Sequence, residues 1–326
     1  MRLALDEART AEGATAPNPP VGCVLLDAVG KVISVAAHQK AGHLHAEVLA
    51  IQKARALGLM EQVHTFVVTL EPCNHYGRTP PCTDAILATP AQNIVIGASD
   101  PNPHVKGGGA ERLHQRGLTV SFLDRAREPE LCQALQRLIA PFTKRMIKGL
   151  PWVTVKQAIN LQGSMIPEPG HKTFTSHSSL VVAHQLRRRA DAIMTGSGTI
   201  LADAPEFTVR HVEDYVGKRR KLILFDRRRR IADAYVAAAQ HRGFNVIWAS
   251  DVEHALRDAA THGALEVLIE AGPQLTASVL ASPYWDEHVL IRQSSKAGDD
   301  DHMEIKHNKL SLTQSGAKDK HVFRNH

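Results

Sequence analysis

Short apolar runs of strand length alternate with helix-like stretches along most of this chain, and that alternation restricts its fold more than any other feature. From Val21 the order is VGCVLL (21–26), HAEVLAIQKARAL (45–57), HTFVVTL (64–70), NIVIGA (93–98), a Gly-rich GGGAERLHQRG (107–117) and TVSFL (119–123). Strands interleaved with helices bury their sheet beneath helical layers, so an α/β fold is predicted. The helix-like ELCQALQRLIAPFTKRMIK then meets Lys148-Gly149-Leu150-Pro151, a helix break, and a strand opens near Trp152. Beyond it the alternation resumes with strands at WVTVKQA, DAIMTG (191–196), KLILF (221–225), FNVIWA (244–249), EVLIEAG (266–272) and EHVLI (287–291). The chain of 326 residues is about twice the usual domain length, which places two domains at 1–147 and 148–326.

Composition removes several classes. With 43% hydrophobic, 22% charged and 5% aromatic residues the chain is neither disordered, collagen-like nor a disulfide scaffold. No run approaches the ~18 apolar residues of a membrane helix, and MRLALDEARTAEG carries acids where an export signal needs an apolar core. A cytoplasmic protein with no membrane partner is expected. The net charge of +6 is dispersed and suits an anionic ligand such as a phosphate. The run Arg227–Arg230 reads as a solvated loop after a strand in preference to a ligand contact. From Ser294 the chain is polar, with MEI and KLSL its only periodic apolar pieces, and reads as a final hairpin or a mobile tail.

The strongest chemical pattern is His45-Ala46-Glu47, followed after a strand by Pro72-Cys73 and then Cys82. One imidazole and two thiolates suit a tetrahedral zinc that keeps its fourth position open. In zinc deaminases the glutamate two residues after the histidine is not a ligand; it carries protons between activated water, ring nitrogen and departing ammonia. Glu47 occupies that place. The metal lowers the pKa of water to about 7, so hydrolytic deamination of a ring carbon follows. HAEVLAIQ and CTDAILA read as helix starts, which places His45 and Cys82 at positive dipole ends. Cys23 and Cys132 read as buried packing residues.

The gap from Cys73 to Cys82 exceeds the P-C-x-x-C of polynucleotide and cytidine deaminases. It is filled by LEPCNHYGRTPPC (70–82), with APNPPVGCVL (16–25) before it and DPNPHVKGGG (100–109) after it. Together these strings closely resemble the bifunctional riboflavin-biosynthesis deaminase/reductase family, RibD. The second half resembles it too, in VTVKQAINLQG (153–163), AHQLRRRADAIMTGSGTILADAPEFTVR (183–210), LILFDRR (222–228) and LIEAGPQL (268–275). The resemblance implies a cytidine-deaminase-like α/β/α domain followed by a dihydrofolate-reductase-like α/β domain. It further implies zinc-dependent deamination of 2,5-diamino-6-ribosylamino-4(3H)-pyrimidinone 5′-phosphate, then reduction of the ribosyl group to ribityl with NADPH.

On that resemblance Asn18 and His38 hold pyrimidine and ribose, while His75 and Arg78 meet the substrate phosphate, where a guanidinium fork is apt. Lys156 stands close to the reacting carbon, Arg187, Arg210 and Glu270 engage the second substrate, and Ala158, Thr199, Asp203 and Gly272 line the NADPH site. Asn74 stands where the family commonly has serine, and His43 is an additional histidine beside the ligand. More departures fall in the second half: NLQG for S-L-D-G, ADAP for A-D-D-P, Thr173 near an expected tryptophan, and EAGP for E-G-G-P. A Cβ at Ala271 obstructs close approach of cofactor phosphates if that position needs φ > 0.

Two rival readings exist. A base deaminase of RNA or DNA fits His-x-Glu, but the chain lacks an aromatic-rich stacking surface and carries the NHYGRTPP insert. Alternatively the second half is a non-catalytic scaffold or oligomerisation domain whose departures record lost chemistry. The favoured reading is the bifunctional enzyme, a homo-oligomer acting on a small phosphorylated pyrimidine, with no nucleic-acid partner.

Overall fold

A computed structural model of the protein describes residues 1–76, 80–102, 108–166, 173–294 and 301–308. The chain divides into two compact units, Met1–Lys148 and Gly149–His326. Among the described residues no helix is long and apolar enough to cross a membrane.

The first unit runs α1 (Arg2–Arg9), β1 (Gly22–Leu26), β2 (Val32–Ala37), α2 (Ala46–Ala56), β3 (Thr65–Val68), α3 (Cys82–Leu87), β4 (Asn93–Ile96), α4 (Gly109–Gln115), β5 (Thr119–Phe122) and α5 (Pro129–Lys148). Its sheet has the order β2-β1-β3-β4-β5. β1 is antiparallel to both β2 and β3, and β3, β4 and β5 are parallel. The period of two along β1 and β3 sends Cys23, Leu25, Phe66 and Val68 to one face, where α2, α3 and α4 supply Ala50, Ile86 and Leu113. Val24 and Val67 face the other way, towards Ala4 of α1. A separate cluster joins α1 to α5 through Leu5, Leu131, Leu135 and Leu138. The result is the expected α/β/α sandwich.

β2 is absent from the sequence reading above. It pairs back on β1 through a turn in which Asp27 Oδ1 accepts the N–H groups of Val29 (3.0 Å) and Lys31 (2.8 Å), with Gly30 at φ +84°. An Asp-x-x-Gly between two apolar runs is a turn signature, so this hairpin was available in the residues. Cys23 lies buried on β1 and Cys132 buried on α5, as packing residues.

The second unit contains β6 (Trp152–Ile159), α6 (His177–Arg189), β7 (Ala192–Gly196), α7 (Ser197–Asp203), β8 (Lys221–Phe225), α8 (Asp233–His241), β9 (Asn245–Ala249), α9 (Val252–Thr261), β10 (Glu266–Ile269), α10 (Pro273–Leu280), β11 (Glu287–Arg292) and β12 (His302–His307). The sheet order is β12-β11-β6-β10-β7-β8-β9, parallel except for the β11–β12 pair. All six strands read from the sequence are present. The tail does form a hairpin, with MEI inside β12, while KLSL lies outside the described residues. β7, β8 and β10 are apolar almost throughout because helices cover both faces: Met194, Ile223 and Ile269 pack with Leu256 of α9, and Ile193, Leu222 and Leu268 with Leu186 of α6. Ligands of such parallel sheets sit beyond the carboxyl ends of the strands, which is where Gly196 and Glu270 emerge.

Candidate functional site

His45 is the N-cap of α2, and Cys82 is the first residue of α3. Cys73 lies on the segment between β3 and α3. Together they form the one His/Cys/Asp/Glu group able to hold a metal among the described residues, with ligand atoms within 4.8 Å of one another. His45 Nδ1 lies 3.2 Å from Cys82 Sγ and 3.6 Å from Cys73 Sγ. Zinc bonds of about 2.0–2.3 Å at a tetrahedral angle separate neighbouring ligand atoms by about 3.5–3.8 Å, so the set is close to a zinc edge already. Cys73 Sγ also accepts the backbone N–H of Cys82 at 3.2 Å. Its pKa is lowered to about 4, first by the hydrogen bond from the Cys82 side chain, then by those from His45 and the Cys82 backbone, against the opposing effect of burial. A group that favours the thiolate favours a cation beside it.

Glu47, in the first turn of α2, is 3% exposed, and its Oε2 has no hydrogen-bond partner among the described residues. Burial, then the neighbouring Cys73, raises its pKa. An orphaned buried carboxylate oxygen next to an N,S,S donor set is costly unless a ligand or a proton meets it. The residues present therefore fit zinc with a proton carrier alongside.

Asn18 and His38 are brought together. Asn18 Nδ2 donates to His38 Nε2 at 3.2 Å, while His38 Nδ1 donates to the Leu44 carbonyl at 3.0 Å, the tautomer this network requires. The buried ring is held neutral, its pKa lowered chiefly by burial. The His38 and His45 rings meet edge to face at 5.2 Å, so the pair borders the metal group. His75 is exposed one residue past Asn74, and Arg78 lies outside the described residues.

Several residues around this group escaped the sequence reading. Glu71 is buried, and its carboxylate accepts the N–H of Ala110 at 3.0 Å and of Asp100 at 3.3 Å, tying the Cys73 segment to α4 and to the chain after β4. Arg112 on α4 donates to Asn74, Thr83 and Asp84. Both act across 28 to 39 residues of sequence, a separation that no local pattern reports.

In the second unit Lys156, Arg187 and Glu270 converge. Arg187 Nε donates to Glu270 Oε2 at 2.8 Å, and Lys156 Nζ stands 3.9 Å from Glu270 Oε1, which has no hydrogen-bond partner among the described residues. Burial opposes ionisation of Glu270, but the charges of Arg187 and Lys156 outweigh it and its pKa is lowered. Burial lowers the pKa of Lys156 against the raising effect of Glu270. Thr199 Oγ1 is buried without a hydrogen-bond partner, and a Cβ built on Gly272 would lie 3.5 Å from it, so these two adjoin. An unsatisfied hydroxyl beside a glycine-led helix start fits a phosphate-bearing nucleotide.

The other expected residues lie further out. Arg210 donates through its backbone N–H to His184 Nδ1 at 2.8 Å, while its exposed guanidinium binds Glu206 and Thr208. Asp203 is exposed at the end of α7, and Ala158 packs half-buried against the core beneath β6. Ala271 is not in the left-handed region, so its Cβ meets no φ penalty. Ala204, in ADAP, has φ +40°, a conformation that Asp tolerates better than Ala. Within the arginine run, Arg230 donates to Ser197 Oγ at 2.8 Å and Arg229 stacks on Trp248 at 5.2 Å, both exposed.

Comparison with known proteins agrees with this geometry. The family "Cytidine and deoxycytidylate deaminase zinc-binding region" matches residues 1–98, and "RibD C-terminal domain" matches residues 151–305. Fold, metal group and these matches define a zinc-binding deaminase of the cytidine-deaminase type joined to a second α/β domain that implies a nucleotide cofactor. The riboflavin biosynthesis protein RibD of Mycobacterium tuberculosis is 34% identical over 287 residues, which is 86% of this chain and 80% of that one. The chain belongs to the RibD family of riboflavin-biosynthesis deaminase/reductases. RibD of Aquifex aeolicus is 40% identical over 214 residues, covering 65% of this chain and 57% of that protein's length. Among solved structures, Acinetobacter baumannii RibD superposes with a TM-score of 0.75 at 28% identity over 89% of this chain and 84% of its own. A Thermotoga maritima diaminohydroxyphosphoribosylaminopyrimidine deaminase/5-amino-6-(5-phosphoribosylamino)uracil reductase gives 0.76 at 27% identity over 92% and 88%. Neither the nucleic-acid deaminase nor the scaffold reading is favoured by these relatives.

Proposed function

We propose that the first unit deaminates 2,5-diamino-6-ribosylamino-4(3H)-pyrimidinone 5′-phosphate and that the second reduces the ribosyl group of the product to ribityl with NADPH. The observation that carries this is the buried Glu47 carboxylate, its Oε2 without a hydrogen-bond partner among the described residues, beside His45, Cys73 and Cys82, in a chain that also holds a RibD C-terminal domain.

His45 Nδ1 and the two thiolates hold zinc, which when bound supplies a Lewis acid that activates water at neutral pH. Glu47 Oε2 takes one proton from the attacking water and delivers it to the ring nitrogen, then takes the proton of the new ring-carbon hydroxyl and delivers it to the amino group, so that the C–N bond breaks, ammonia leaves and the ring carbonyl forms. Burial supports this duty, because a carboxyl whose pKa is raised both accepts and returns a proton readily. Asn18, fixed by His38, hydrogen-bonds the pyrimidine; His75 and Arg78 meet the phosphate.

In the second unit Thr199, Gly272, Ala158 and Asp203 would hold NADPH, which when bound would supply the hydride. Lys156 Nζ holds the proton released to the opening ribosyl oxygen. Glu270 and Arg187 keep that lysine in place and Arg210 binds substrate from the rim. The test is a pair of variants. Glu47→Ala is expected to keep one zinc per chain and lose ammonia release by about 10²–10⁴-fold, whereas Cys73→Ser loses zinc itself. Full zinc and full activity in both would remove the site assignment.

A further inference from the structure

Of the two thiolates of the metal group, Cys73 lies in no helix or strand and Cys82 opens α3. Between Cys73 and the start of α3 the described residues 74–76 and 80–81 belong to no helix or strand. No sheet ladder therefore sets the distance between Cys73 and Cys82, and something else must.

The guanidinium of Arg112 touches the neighbours of both cysteines. Its Nη1 donates to Asn74 Oδ1 at 2.8 Å and to Thr83 Oγ1 at 3.2 Å, and its Nη2 donates to Asp84 Oδ1 at 2.5 Å. Asn74 follows Cys73 directly, and Thr83 and Asp84 follow Cys82. The two sides are also stitched to each other. Thr83 Oγ1 donates to Asn74 Oδ1 at 3.0 Å, and the Thr83 N–H reaches the Cys73 carbonyl at 3.3 Å. Asn74 Nδ2 donates to the Gly108 carbonyl at 3.3 Å, so its side-chain amide is engaged at both ends. Arg112 is itself anchored, because the next residue of α4, Leu113, is fully buried in the core.

We propose that Arg112 is a positioning residue that sets the spacing of the two cysteine ligands, acting through Asn74 on one side and Thr83 and Asp84 on the other. The proposal rests on the zinc reading above. A planar fork is needed for this work: one guanidinium presents separate donors to acceptors on two segments, which a lysine's single ammonium cannot do with the same geometry. It also gives a use to the asparagine after Cys73, whose Oδ1 accepts from Arg112 and Thr83 while its Nδ2 donates to the Gly108 carbonyl.

The test uses the full chain loaded with zinc. Zinc release to a chromogenic chelator is timed, and the cobalt-substituted protein is examined for thiolate-to-cobalt and ligand-field bands, which report the tetrahedral angle directly. Arg112→Ala is expected to release zinc about 10–100-fold faster than wild type and to shift the cobalt bands. Arg112→Lys recovers part of both, and Asn74→Ala moves both in the same direction without removing a charge. Leu135→Ala, in the separate cluster that joins α1 to α5 and outside all of these bonds, is the control for general loss of stability. Wild-type release and spectrum in Arg112→Ala, or release no faster than in Leu135→Ala at equal loss of Tm, would overturn the proposal. If Arg112→Ala does not fold, wild-type release and spectrum in Asn74→Ala would overturn it. A wild-type chain that holds no stoichiometric zinc would instead bring down the zinc reading itself, and this proposal with it.

Discussion

One added methyl group at Gly109 drives into the backbone that carries Cys73. A Cβ built on Gly109 lies 2.1 Å from the Pro72 carbonyl oxygen and 3.2 Å from its carbon. Real Cβ contacts do not fall below 3.0 Å, so the first turn of α4 and Pro72 must separate by about 1 Å. The contact is backbone against Cβ, and no rotamer can relieve it. Glu71 bonds both sides of this junction through the Ala110 and Asp100 N–H groups, so the displacement passes to the adjacent Cys73. Gly109→Ala is therefore expected to cost about 1–3 kcal/mol in stability and to weaken zinc about 10–100-fold. A ligand displaced by about 1 Å lowers the ammonia-release rate by about 10²-fold. Thermal unfolding, chelator competition and ammonia release measure the three effects. The NADPH-oxidation rate on already deaminated substrate is expected to be unchanged. Wild-type Tm, zinc affinity and ammonia release in Gly109→Ala would refute the close-approach argument and the coupling of α4 to the metal group.

Two further outcomes concern the second unit. Lys156→Ala is expected to leave ammonia release untouched and to lower NADPH oxidation by about 10²-fold or more, read in one reaction vessel with two detectors. Equal loss of both activities would contradict the separate placement of the two chemistries. The His184 pKa is lowered from 6.5 to about 4, first by burial and then by the charge of Arg187, and its Nδ1 must stay unprotonated to accept the Arg210 N–H. The unfolded chain takes up this proton below pH 6.5 while the folded one refuses it until about pH 4, so this residue removes stability progressively as pH falls through that window. His184→Asn, which keeps an acceptor for the same N–H, is expected to flatten the fall in the urea midpoint between pH 7 and pH 4.5; an unchanged slope would exclude His184 as its source.

What the residues disclose by themselves follows a physical division. Periodicity and local chemistry were legible: the β10 run EVLI, the helix starts at His45 and Cys82, and the His-x-Glu with its two cysteines all depend on neighbours in sequence. β2 is signalled by the turn at Asp27 and Gly30, and VISVAA takes its place only as the antiparallel partner of β1. Arg112 and Glu71 were invisible for a different reason. Their partners lie 28 to 39 residues away, and only the packing of α4 against the cysteine segment gives them a role. Family strings put Lys156, Arg187 and Glu270 in one site, but the direct pairing of Arg187, which arrives from α6, with Glu270 appears only when the strands are arranged. Ala271 is accommodated for the same reason, since its backbone angle, outside the left-handed region, cannot be read from the letter alone.

The central claim is that one chain carries two working chemistries in sequence. The direct test supplies the diaminopyrimidine ribosyl phosphate to the zinc-loaded chain and follows ammonia release with and without NADPH while recording NADPH oxidation at the same enzyme concentration. Ammonia is expected in both arms and, when NADPH is present, its oxidation up to one equivalent per ammonia released. Ammonia without any NADPH oxidation would contradict the reductase, and no ammonia from a chain holding one zinc would contradict the assigned substrate.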